Sequence, residues 1–109
     1  VSQSPIFVKT EAFMAWLLEH TRKFPRHERF RLAQYTVSAL FTFHEMILRA
    51  AQQQETQELL TEADIYLDRL RAYLRLAVEL HYTTPAQYQY AAEQTTEIGR
   101  LLGGWMKKA

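Results

Sequence analysis

The stretch Leu60-Thr61-Glu62-Ala63-Asp64-Ile65-Tyr66-Leu67-Asp68-Arg69-Leu70-Arg71-Ala72-Tyr73-Leu74-Arg75-Leu76-Ala77 decides the fold class. Leu60, Ala63, Leu67, Leu70, Leu74 and Ala77 recur at alternating spacings of three and four. That period places them on one stripe of an α-helix and the intervening charges on the other faces. Strand alternation does not fit it. The spacing predicts a helix from about Thr56 to His81 whose apolar seam packs on a near-parallel neighbour.

The same reading extends in both directions. Upstream, Phe30, Ala33, Val37, Leu40, His44, Ile47 and Ala51 form a comparable seam, with Phe41 and Leu48 beside it, and predict a helix over Pro25–Gln53. A first helix over Phe7–Lys23 carries Phe13, Trp16, Leu17, His20 and Phe24, and Pro25 sets its boundary. Downstream, Thr84-Pro85-Ala86-Gln87 reads as an N-cap, a proline at the first helical position and the partner of a capping box. The helix it opens carries Tyr88, Ala91, Thr95, Ile98, Leu102 and Trp105, and Gly103-Gly104 offers a left-handed stop. Short joins near Phe24–Pro25, Gln53–Thr56 and Tyr82–Thr84 favour antiparallel neighbours. The expected fold is all-α, an up-down-up-down four-helix bundle forming a single domain over residues 1–109. Its second and third helices would reach about 40 Å and outrun the other two.

Composition agrees. With only three Gly and three Pro in 109 residues, a turn-rich sandwich or barrel is disfavoured. The absence of Cys excludes disulfides and thiol chemistry and fits a reducing compartment. No apolar run is long enough to span a membrane and no signal-peptide pattern is present, so a cytoplasmic protein is expected.

Catalytic patterns are missing. There is no glycine-rich phosphate loop, and none of His20, His27, His44 or His81 has the Glu three residues before it that bundle metal sites use. His44, within the second seam, is expected to hydrogen-bond a neighbouring helix. Neither enzyme activity nor a cofactor is expected.

A net charge of +1 does not announce a nucleic-acid binder, but the charges are uneven. Arg22, Lys23, Arg26, Arg29 and Arg31 fall within ten residues, against the single acid Glu28. Straddling a helix start, they would gather at one end of the bundle. There they could hold phosphates beside exposed backbone amides, or simply be a solvated end. Arg71 and Arg75 share a face of the third helix, where Asp68–Arg71 and Arg75–Glu79 pairs would neutralise them. Tyr35, Tyr66, Tyr73, Tyr82 and Tyr90 lie at or beyond the stripe edges. Such aromatics favour a protein partner, most simply a second copy of the chain.

Three blocks carry a resemblance that spans essentially the whole chain: Phe24-Pro25-Arg26, Leu70 to Ala77, and Thr84-Pro85-Ala86-Gln87 followed by Glu97-Ile98-Gly99-Arg100-Leu101-Leu102-Gly103-Gly104-Trp105. The sequence resembles the accessory variability (Avd) proteins of diversity-generating retroelements, within a wider group that includes proteins encoded in 23S rRNA intervening sequences. The resemblance implies a homopentameric barrel of four-helix bundles. It also implies a non-catalytic subunit that acts with a reverse transcriptase, structured template RNA and cDNA in mutagenic retrohoming. On matching positions it implies partner- or nucleic-acid-binding roles for Arg26, Arg71 and Arg75, and either phosphate contact or a structural role near the helix end for Arg100, beside Arg22, Lys23 and Arg29 of the basic cluster. Lys107 and Lys108 resemble the start of a basic tail. The alternative is an intervening-sequence-type bundle acting as a structural or protein-interaction module.

Overall fold

A computed structural model describes residues 4–53 and 56–109, so the centre of the Gln53–Thr56 join lies outside the described residues. Four helices account for nearly all of them: α1 (Pro5–Arg22), α2 (Leu32–Gln52), α3 (Gln57–Glu79) and α4 (Pro85–Lys108), with a 3-10 turn at Arg26–Glu28. No strand occurs among the described residues.

Each helix packs on its two neighbours in cyclic order, α1 on α2 and α4, and α3 on α2 and α4. Side-chain contacts fix the directions. Phe7 lies against Trp105 and Trp16 against Tyr90, so α1 and α4 are antiparallel. Tyr35 meets Tyr73. Arg71 reaches the Thr95 carbonyl, and Leu67, one turn earlier, lies beside Gly99 one turn later. The result is an up-down-up-down bundle of 42 × 25 × 21 Å.

The α3 seam is buried as its spacing predicts, from Leu60 through Ala77. Burying each large apolar side chain contributes roughly 1.5–3 kcal/mol, which makes this seam the backbone of the core. The capping box also forms: Thr84 Oγ1 accepts from the Gln87 backbone N–H at 3.1 Å, and Gln87 Oε1 from that of Thr84 at 2.9 Å. His44 donates to Glu11 on α1 at 3.0 Å, the inter-helix bond expected of it.

Three expectations are corrected. First, α2 begins at Leu32, not Pro25. The Glu28 carboxylate, 3% exposed, accepts the Leu32 N–H at 3.4 Å and the Tyr82 hydroxyl at 2.7 Å. The segment therefore tightens into a 3-10 turn and restarts, and the phase of α2 shifts. Thr36, Ala39, Leu40, Phe43, Ile47 and Ala50 are buried, whereas Phe30, expected in the seam, is 78% exposed.

Second, the chain does not stop at Gly103-Gly104; α4 continues to Lys108. The left-handed stop is at the end of α3, where His81 has φ 65°. Tyr82 N–H bonds the Ala77 carbonyl at 2.8 Å and His81 N–H that of Val78 at 2.9 Å. These are the two bonds of a Schellman motif, with histidine in the place glycine usually takes. Third, α4 is the longest helix at 24 residues, against 21 for α2 and 23 for α3. No helix among the described residues is long and apolar enough to cross a membrane.

Candidate functional site

The basic cluster forms a corner at the bundle end where α1 stops and α2 begins. Two hydrogen bonds turn the chain away from helix here, Glu28 N–H to the Pro25 carbonyl at 2.9 Å and Arg29 N–H to that of Arg26 at 3.1 Å. The turn sends the one acid of the segment inward and leaves its cations outside. Arg22, Lys23, Arg26, Arg29 and Arg31 are all exposed, as is His27.

Glu28 holds the corner together. Its carboxyl lies below the ordinary carboxylate range, chiefly because the Tyr82 hydroxyl donates to it; the same bond raises the Tyr82 hydroxyl. Arg31 Nε approaches it at 3.4 Å. This carboxylate accepts the Leu32 N–H at 3.4 Å, so that amide, one of those at the start of α2, is already engaged. An anion arriving here would meet the exposed side chains of the corner's cations.

Those side chains differ in availability. Arg22 pairs with Glu19 at 3.0 Å, an exposed couple that lowers the Glu19 carboxyl. Arg26 and Arg29 make no side-chain ion pair or hydrogen bond among the described residues, and both line a groove of about 600 Å³. Its apolar lining includes Leu18, Phe24, Ala33 and Val37. His20 supports the corner from within. Its ring stacks on Trp16, meets Phe24 edge-on and is hydrogen-bonded to Thr83 at 2.8 Å. Burial pushes its pKa below the usual histidine value, which favours the neutral ring.

The remaining expected site residues are elsewhere. Arg71 spans the α3–α4 seam: Nη1 donates to Asp68 at 2.9 Å and Nη2 to the Thr95 carbonyl at 3.2 Å. It does so over Gly99, where an added Cβ would sit 2.5 Å from Nη2. Gly99 thus clears the path of this guanidinium. Arg75, one turn on, is exposed and makes no ion pair among the described residues; the Arg75–Glu79 pair does not form. Arg100 lies towards the opposite end of the bundle, bound to Glu97 through two bonds of 2.9 and 2.7 Å, which raise its pKa. The seven expected residues therefore form one corner of four, the neighbouring pair Arg71 and Arg75 beside the α3–α4 seam, and Arg100 by itself.

Phe30 and Gln34, which also line the groove, were not expected there. The signal for Phe30 was its place between Arg29 and Arg31. Among the described residues, no three His, Asp or Glu side chains gather as metal ligands.

Residues 6–109, which include the corner, the Arg71–Gly99 crossing and all of the described α3 and α4, match the bAvd-like family. The chain belongs to the bAvd-like family. This is a family of accessory proteins, and its members are not known as catalysts. No curated protein matches the chain. At the corner, Arg26 and Arg29 make no ion pair among the described residues, as is also true of Arg75 on α3.

Proposed function

We propose that this chain is the non-catalytic accessory subunit of a diversity-generating retroelement. It binds the element's reverse transcriptase together with the structured template RNA and cDNA, and so supports mutagenic retrohoming. One observation carries the reading: a bAvd-like chain turns the only acid of its basic segment inward and leaves Arg26 and Arg29, which line a groove, without ion-pair partners among the described residues.

Affinity in this reading comes from release of counterions as phosphates meet the corner, which makes it salt-sensitive and indifferent to base sequence. A single corner binds weakly. Assembly into a homopentamer would present five, and avidity would raise the affinity without a new contact. Val8, Ile65, Leu76 and Leu80 are exposed apolar side chains available for that assembly.

The test is co-expression with a retroelement reverse transcriptase and its template RNA, followed by purification at low salt. Recovery of all three components, with a pentameric mass for the accessory ring, supports the proposal. A monomer that captures neither the polymerase nor the RNA overturns it.

A further inference from the structure

Phe30 is the feature of the corner that folding does not explain. It is the most exposed of the large apolar side chains, at 78%, and makes no ring stacking or cation–π contact among the described residues. Other surface aromatics lean on a neighbour: Tyr35 on Tyr73, and Tyr90 on Trp16. Phe30 stands between two arginines and borders a groove whose rim carries Arg22, Arg26 and Arg29. The groove, at about 600 Å³, has the size of sites that hold small organic ligands, about 300–1,000 Å³.

We propose that this corner takes nucleic acid in its single-stranded form, with an unpaired base stacked on Phe30 and the adjoining phosphates on Arg26 and Arg29. The proposal rests on the accessory-subunit reading and specifies the state of the nucleic acid that is bound. The physical distinction is simple. A duplex hides its base faces and offers a basic corner only phosphates, so an exposed phenyl ring gains nothing from it. A single strand exposes base faces, and a charged groove with an aromatic platform is how proteins hold one without reading its sequence. Phosphates and base then use different side chains of one site. The arginines provide the salt dependence, and Phe30 provides a contribution that salt does not screen.

The test compares an unstructured oligouridylate of about 12 nucleotides, within the usual range of single-strand site sizes, with an RNA hairpin of similar charge closed by a compact tetraloop whose bases are stacked and hidden like those of the stem. Binding is followed by fluorescence anisotropy at low and moderate salt for the wild-type protein, Phe30→Ala, Phe30→Trp and the double variant Arg26→Glu/Arg29→Glu. The wild-type protein is expected to bind the single strand more tightly. Phe30→Ala should lose about 5- to 150-fold on the single strand, equivalent to ~1–3 kcal/mol for one stacked base. Its salt slope and hairpin affinity should be unchanged, and Phe30→Trp should restore binding. Because Phe30 lies outside the core, these variants should melt with the wild type.

If Phe30→Ala binds the single strand normally while the double variant does not, the nucleic-acid reading stands and this proposal falls. Tighter binding of the hairpin overturns it as well. Loss of polymerase capture by Phe30→Ala, with oligonucleotide binding intact, would make the groove a protein dock and also overturn it. If the wild type binds neither RNA in a salt-sensitive way, the nucleic-acid part of the accessory reading fails together with this inference.

Discussion

Arg71 and the pair Arg26/Arg29 carry the same guanidinium, yet the fold treats them differently. Arg71 is 31% exposed, tied to Asp68 on its own helix and to the Thr95 carbonyl on the next, above a glycine that makes room for it. Arg26 and Arg29 sit on a turn whose acid has been drawn under the surface by Tyr82. The first arginine joins two helices. The other two are left with charge to offer. The number of arginines on a surface is therefore a poor guide to binding; what matters is where the neighbouring carbonyls and carboxylates have gone.

The comparison can be broken from the structural side first. Leu67 is fully buried and lies against the Gly99 position beneath Arg71. Leu67→Ala should cost about 2–5 kcal/mol in chemical denaturation, since it removes both transfer energy and packing. A smaller loss should expose the difference between the arginines themselves. Arg71→Met should destabilise by about 1 kcal/mol, because partial solvation reduces the roughly 1.5–3 kcal/mol of a charge-assisted bond. Arg26→Ala should remain within about 0.5 kcal/mol of wild type, as exposed positions do. Equal losses at both sites would erase the distinction.

The corner's buried acid gives a pH signature. Because Glu28 titrates below its ordinary 4.5 in the folded protein, its contribution to stability is present above that pH and is lost as the pH falls through the lower folded value. Tyr82→Phe removes the main cause of the shift. The variant should be less stable at neutral pH, and its stability should fall less steeply below pH 4.5 than that of the wild type. Urea denaturation between neutral and acid pH reads both effects, and parallel curves would count against the role given to Glu28.

The smallest effect is also the most specific. Gly99→Ala gains about 1 kcal/mol of helix propensity but displaces Arg71 Nη2 from Thr95. In the wild-type background the two should nearly cancel. In Arg71→Met the displacement no longer matters, so the same alanine should stabilise by up to about 1 kcal/mol. A double-mutant cycle that shows no coupling would contradict the crossing.

Most of the fold was legible because its signals are local. All six seam residues of α3 are buried, and the capping box before Gln87 can be read within four residues. What could not be read depended on distant partners. The start of α2 moved because Glu28 meets Tyr82, 54 residues away, and Phe30 left the seam with it. Gly103-Gly104 looked like a stop, but His81 adopts the left-handed conformation while the glycines stay helical. The site divides along the same line. Close sequence spacing guaranteed that Arg22 to Arg31 would share a corner. Nothing local announced that Arg71 would be engaged by Thr95, 24 residues on.

The most direct test of this division is the salt dependence of RNA binding, measured from roughly 50 to 200 mM salt, for the wild type, Arg26→Glu/Arg29→Glu and Arg71→Met. Each phosphate-contacting residue removed should lower the slope of log affinity against log salt by about 1. The corner variant should lose about two units of slope, while Arg71→Met should keep the wild-type slope even though it is less stable. A corner variant with an unchanged slope, alongside a flattened slope for Arg71→Met, would contradict the account and move the binding surface to α3.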